Sequence, residues 1–185
     1  MGAVDRALIE RARVGDELAF TRLAAAFGDR LFSIAYHIVR DVGPAQDAAQ
    51  EALILIWQQL PRLRDPDRFE AWAYRITVRV AYAEVGGRHK SRPKLVVMSE
   101  LRDRVPDSAS ALSDRDQLER GFRRLSPQHR AVVVLKHYVG LSDDEIAEIL
   151  EVPVGTVRSR IFYAINTLRA ALDADDRPGV KRGLA

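Results

Sequence analysis

The 185-residue chain contains no cysteine. That absence excludes disulfide bridges, thiolate metal sites and cysteine nucleophiles together. Histidine is sparse as well. His37, His89, His129 and His137 show no ligand spacing backed by carboxylates. Long apolar runs are missing: residues 52–57 and 131–135 are the longest, far too short to cross a bilayer. The start runs straight into charges without an apolar signal segment, so the expected location is cytoplasmic, without direct membrane insertion. No catalytic triad, Walker loop or dinucleotide fingerprint occurs. The reading is a non-enzyme with no cofactor and no small-molecule substrate.

A strong charge of one sign is also lacking. Lys and Arg total 29 against 26 Asp and Glu, a net +3. Residues 1–87 carry 11 basic and 12 acidic side chains; residues 114–185 carry 12 and 11. The excess lies in residues 88–113, with 6 basic and 3 acidic, concentrated in Arg88-His-Lys-Ser-Arg-Pro-Lys94. Neither half binds polyanions by bulk charge alone.

What is present is helical periodicity, and no segment alternates like a strand. Helices are predicted over 5–12, 16–40, 44–60 and 67–85. Residues 62–66 form a loop, and Gly86-Gly87 a stop. Residues 88–113, with Pro93, Pro106 and several Ser, read as a flexible linker. Ser113 is the predicted cap of a helix ending near Leu125. Ser126-Pro127 opens another to Val139, which Gly140 closes. The chain after Asp173 reads as a polar tail. The fold class is all-α: two small helical domains, 15–87 and 114–173, joined by the 88–113 linker and followed by a 174–185 tail.

The second domain carries a helix-turn-helix. Ser142-Asp-Asp-Glu145 has the spacing of a capping box. Residues 143–150 follow as a short helix, Glu151-Val152 break it, and Pro153 sits in the first turn of the next. That second helix lines Val157, Ile161, Ala164, Ile165, Leu168 and Leu172 on one stripe. Thr156, Ser159, Phe162, Tyr163 and Asn166 fall opposite, flanked by Arg158 and Arg160. Hydroxyls, an amide, aromatics and guanidiniums suit a major groove, where Arg forks onto guanine and Asn onto adenine. An ordinary amphipathic surface helix shares part of this pattern, but adjacent exposed aromatics favour a contact face.

In the first domain, the 44–60 helix sets Ala49, Ala52, Leu53, Ile56 and Leu60 toward a core. Asp47, Gln50, Glu51 and Gln58 surround Ile54 on the other face. An apolar residue ringed by polar ones fits a small protein-contact patch; a solvated face with one stray Ile fits too. Arg62, Arg64 and Arg68 lie in or beside the loop. Among the aromatics that follow, Phe69 and Trp72, with Ile76, are expected in the core. Tyr74 and Arg75 are expected outside, where bases stack on rings and phosphates pair with Arg.

The runs Leu125-Ser-Pro-Gln-His-Arg-Ala-Val-Val-Val-Leu135, Gly140-Leu-Ser-Asp-Asp-Glu-Ile-Ala-Glu-Ile-Leu150 and Val152-Pro-Val-Gly-Thr-Val-Arg-Ser-Arg160 resemble the −35-binding region of bacterial sigma factors, most closely the extracytoplasmic-function (group IV) type. Gly15-Asp-Glu-Leu-Ala-Phe20, Asp47-Ala-Ala-Gln-Glu51 with Trp57, and Arg68-Phe-Glu-Ala-Trp-Ala-Tyr-Arg-Ile76 are similar to the family's other motif region. The resemblance covers about residues 15–87 and 118–172. It implies a transcription initiation factor that binds core RNA polymerase and promoter DNA, with a sequestering anti-sigma factor as a further partner. It places polymerase contact on Asp47, Gln50, Glu51, Ile54 and Gln58. Capture of the −10 strand falls to Arg62, Arg64, Arg68, Tyr74, Arg75 and Arg79. Recognition of the −35 duplex falls to Thr156, Arg158, Ser159, Arg160, Phe162, Tyr163 and Asn166. The chain departs from the family at Arg79, often Asn, at Ala83, often Asp, and at Gly86-Gly87, often basic. The alternative is a self-sufficient helix-turn-helix regulator, which the motifs of the first half disfavour.

Overall fold

The computed structural model describes residues 5–87 and 109–175, with side chains placed for 5–87 and 117–172. The basic run Arg88–Lys94 and the tail from 176 lie outside them. Every regular element among the described residues is helical.

The first domain begins with α1 (Arg6–Arg13) and α2 (Glu17–Val39). Asp16 caps α2, accepting the Ala19 amide at 2.9 Å. That bond, with Arg11 beside it, holds the Asp16 carboxyl below its ordinary range. The predicted stripe Leu23, Phe27, Leu31, Ile34 and Ile38 is fully buried. Arg40 ends the helix in the left-handed region at φ 68°. Asp41 then caps α3 (Val42–Gln59), two residues earlier than the Gly43-Pro44 punctuation indicated. Pro44 is tolerated because it falls in the first turn, where its missing N–H has no helical partner. The predicted 62–66 loop is tighter than expected, with a 3₁₀ turn on each side: Leu60–Arg62 and Pro66–Arg68. α4 (Phe69–Val85) completes the domain against α2 and α3.

The second domain is α5 (Ala109–Arg124), α6 (Pro127–Val133), a π-helical segment (Val134–Val139), α7 (Asp143–Leu150) and α8 (Val154–Asp175). Ser113 is not the start of α5, which begins four residues earlier; the Ser sits inside it. α8 likewise continues two residues past Asp173. Gly121 explains how closely α5 approaches α8: a Cβ there would lie 2.9 Å from Leu168 Cδ2 and 3.3 Å from Ala171 Cβ. The π segment widens the helix before Gly140 (φ 89°) closes it, and leaves Tyr138 half exposed.

The two domains pack on each other, and one continuous buried cluster runs through both. Arg130 ties the seam. Its guanidinium donates to the Ile38 carbonyl at 2.8 Å and the Phe122 carbonyl at 2.9 Å, near the C-terminal ends of α2 and α5. A cation there complements the negative ends of both helices, and at Phe122 it shares a carbonyl that also accepts the Leu125 amide at 3.1 Å. Arg40 reaches across to Glu119 and lies over the rings of Tyr36 and Phe122, each 5.3 Å away.

His37 faces the same seam, with Phe122 at 6.3 Å and Tyr138 at 5.7 Å between ring centroids. Its Nδ1 accepts from Arg40 at 3.3 Å, which requires an unprotonated Nδ1. Burial first, and Arg40 second, push its pKa below the ordinary value. A depressed histidine pKa contributes stability that is complete above the unfolded value of about 6.5 and is lost as pH falls through the folded one. The full chain should therefore melt at lower temperature near about pH 5.5 than near about pH 7.5. His37→Phe should flatten the part of that dependence below about pH 6.5. An unaltered pH profile in the variant contradicts this role for His37.

Candidate nucleic-acid and polymerase interfaces

The helix-turn-helix forms as its capping residues require. Ser142 Oγ accepts the Glu145 amide at 3.3 Å, and the Glu145 carboxylate accepts the Ser142 amide at 2.8 Å. The Ser142 hydroxyl also donates to that carboxylate at 2.7 Å, and this bond first, the amide bond second, hold the Glu145 carboxyl below its usual range. Glu151 makes the turn in the left-handed conformation, φ 55°. Val157, Ala164 and Leu168 are buried beneath α8. Ile161, Ile165 and Leu172, expected in the same stripe, are half-buried at its margins because α8 is covered on only one side.

The opposite face of α8 presents the predicted contact residues. Phe162 is 71% exposed and Tyr163 55%. Arg158, Ser159 and Asn166 are exposed; Thr156 and Arg160 are half-buried. The Ser159 hydroxyl donates to the Thr156 carbonyl at 3.0 Å, leaving its oxygen able to accept. Two supporting contacts join residues that the sequence pattern does not bring together. Arg158 Nε lies 3.4 Å from Asp143, which also takes Lys136 at 2.9 Å. These cations, Lys136 above all, hold the Asp143 carboxyl below its usual range. The Tyr163 ring packs 4.5 Å from His129, whose Nδ1 lies 2.7 Å from the Ser126 hydroxyl. Asp143 was visible as the first helical residue after the Ser142 cap, but only the folded turn brings it to Arg158. Lys136, His137, Asp143, Arg158, Phe162 and Asn166 border an open depression of 460 Å³ on this face.

On α3, Ala49, Ala52, Ile56 and Leu60 are buried as predicted, and Leu53 is half-buried. Ile54 is 37% exposed and Gln58 is exposed; Asp47, Gln50 and Glu51 are half-buried beside them. The structure thus gathers the five predicted polymerase-contact residues on one helix.

The −10 group divides. Arg62 and Arg64 are exposed on the loop. Tyr74 is not, contrary to its expected exposure: only 1% of it is accessible. Its ring stacks on Phe27 at 5.4 Å; its hydroxyl accepts from Arg30 at 2.8 Å and donates to Glu70 at 3.2 Å. Burial pushes the phenol up to about 12. The residue is a core side chain with a satisfied polar tip, and no base can stack on it. Phe69 and Ile76 are core as expected, while Trp72 is only half-buried. Helical phase alone does not reveal the exposed arc of α4, because the helix is packed by α2, α3 and α7.

Arg68, Arg75 and Arg79 do reach the surface of the first domain, but they meet the second. Arg68 pairs with Glu148. Arg79 lies 2.6 Å from Glu151, and Arg75 lies 3.5 Å from Glu151 and 3.9 Å from Glu148. Two of the family departures, Arg79 and Ala83, border a 240 Å³ hollow with Leu55, Gln59, Ile76 and Val80. The third, Gly86-Gly87, follows the end of α4, with Gly87 at φ 70°. Among the described residues, no group of side chains is arranged to hold a metal ion, and no helix is long and apolar enough to cross a membrane.

Comparison with known proteins fits this geometry. The Sigma-70 region 2 family matches residues 23–90, and the Sigma-70 region 4 family matches residues 115–168. The RNA polymerase sigma-H factor of Pseudomonas aeruginosa is 32% identical, over 91% of this chain and 93% of its own. The ECF RNA polymerase sigma-E factor of Escherichia coli K12 is 32% identical over 96% and 97%. Among solved structures, CnrH in complex with the cytosolic domain of CnrY superposes with a TM-score of 0.68 at 28% identity, covering 92% of this chain and 98% of that one. The sigma factor RpoE in complex with the anti-sigma factor NepR from Bartonella quintana shares the fold at a TM-score of 0.66 and 20% identity, covering 84% and 98%. The chain belongs to the sigma-70 family of RNA polymerase sigma factors, in its extracytoplasmic-function group, and is a transcription initiation factor rather than an enzyme.

Proposed function

We propose that residues 15–87 hold core RNA polymerase and the melted −10 strand, while residues 114–173 read the −35 duplex. The observation that carries this reading is α8. A buried stripe anchors it, and the opposite face offers Arg158, Ser159, Phe162, Tyr163 and Asn166 to a groove. Thr156 and Arg160 support phosphates at the same helix. Arg62, Arg64, Arg68, Arg75 and Arg79 supply the charges for the opened strand. No chemical step is required. The protein lends binding energy that favours the opened duplex within the holoenzyme, and its place is the cytoplasm. A sequestering anti-sigma factor belongs to the same reading.

A gel shift with promoter duplex separates this reading from the self-sufficient regulator. The chain alone should bind weakly, and the chain with core polymerase tightly. Tight unaided binding contradicts the proposal. For polymerase contact, Ile54→Asp places a charge in the centre of the α3 patch. It should weaken core binding by about 2 kcal/mol or more, read in a titration of labelled chain with core polymerase. Wild-type affinity removes the patch from the account.

A further inference from the structure

Tyr163 stands on the reading face of α8 with its ring 55% exposed, and its hydroxyl makes no hydrogen bond among the described residues. An exposed tyrosine swings about its side-chain torsions, and ordering it on binding costs entropy. Here the ring is already braced. It packs against His129 of α6, with ring centroids 4.5 Å apart and planes inclined by 31°. Phe162, the next residue in sequence and the more exposed, has no ring against it among the described residues. Of the two adjacent aromatics, only Tyr163 is held.

The brace is itself anchored. Ser126 caps α6, and the His129 Nδ1 lies 2.7 Å from its hydroxyl. The same oxygen accepts the His129 amide at 3.4 Å. Pro127, between them, fixes φ in the first turn. The amide and the ring of one residue are thus tied to a single cap, which sets the plane of the imidazole.

Nothing in α6 itself calls for histidine at this position. The helix buries Ala131, Val132 and Val133, whereas His129 is only half-buried. An imidazolium is disfavoured in a first turn, at the positive end of a helix. Burial first, and Arg160 second, push the His129 pKa below its ordinary value, so the ring is largely neutral at about pH 7.5. A neutral, planar ring is suited to stacking on another ring.

We propose that His129 is a positioning residue for recognition of the −35 duplex. Its ring, anchored on Ser126, holds the Tyr163 ring in one direction, with the phenol hydroxyl presented to a base edge. That hydroxyl can donate or accept. Without the brace Tyr163 still reaches the duplex, but it spreads over several rotamers and its preference blurs. His129 lies on α6, outside the helix-turn-helix of α7 and α8. A helix outside the motif therefore sets part of its specificity. The proposal rests on the reading of α8 as the −35 contact face.

The test uses the full chain with core RNA polymerase on the strongest promoter recovered by start-site mapping, and on single-base substitutions across its −35 element. Competition gel shifts, in which each substituted duplex displaces the parent, give relative affinities. Tyr163→Ala should flatten the preference at about one or two adjacent base pairs and leave the others intact. His129→Ala should flatten the same positions by roughly threefold to tenfold, with the melting temperature nearly unchanged. His129→Phe keeps a ring and loses the Ser126 bond; it should recover most of the preference. In a Tyr163→Ala background, His129→Ala should add nothing.

An effect of His129→Ala that is absent, equal at every position, or fully additive with Tyr163→Ala overturns the positioning role. Failure of His129→Phe to recover the preference overturns the ring contact as its basis. A Tyr163→Ala chain with native preference at every −35 position overturns instead the reading of this face, on which the brace depends.

Discussion

Tyr74→Ala should unfold the first domain at much lower denaturant, losing about 3–5 kcal/mol of stability in urea titrations. The ring is almost wholly buried and lies against Phe27, which in turn contacts Phe69 at 5.6 Å. Its removal leaves a cavity where three helices meet, and strips the hydroxyl from Arg30 and Glu70. Those two remain 3.4 Å apart and can still pair. Tyr74→Phe should therefore be mild, costing about 1 kcal/mol for the lost hydrogen bonds. Unfolding midpoints separate this from a strand-binding role. A stable Tyr74→Ala protein that fails only in promoter opening contradicts the structural assignment.

Arg158→Ala should lower initiation from a −35-dependent promoter by about 1–3 kcal/mol of transition or binding free energy if the guanidinium meets a base edge. Arg158→Lys should not restore it, because an ammonium cannot reproduce the two-pronged contact to guanine. The side chain is exposed and close to Asp143, which restrains it without burying it. Loss of this weak pair costs little stability, so the melting temperature should hold while activity falls. A narrowed preference of the variant for an intact over a scrambled −35 element, lost chiefly at one base position, against clear discrimination by the native chain, is the expected pattern. Unchanged discrimination removes Arg158 from base reading.

Local chemistry made most of the fold legible. The Ser142–Glu145 capping box, the Ser126-Pro127 start and the closing Gly140 all form where their residue types require. The α2 stripe and the Val157–Ala164–Leu168 stripe are core because one face of each helix is consistently apolar. α4 resisted the same reading. It is surrounded by α2, α3 and the second domain, so Tyr74 is buried while Arg75 beside it is not. Of the candidate site, the α8 face could be read from helical phase alone. The pairing of Arg68, Arg75 and Arg79 could not, since their partners lie 72–80 residues away and depend on domain packing.

That packing also changes what the modest +3 charge means. Near-neutral domains already imply weak binding to DNA. Here, in addition, three of the arginines that would meet the strand are engaged by carboxylates of the same chain.

Run-off transcription with purified core RNA polymerase on genomic fragments tests the central claim most directly. Addition of this protein should produce discrete transcripts whose mapped starts share upstream −35 and −10 elements, and omission should abolish them. Transcripts that are absent, or identical with and without the protein, contradict its assignment as the promoter-directing subunit.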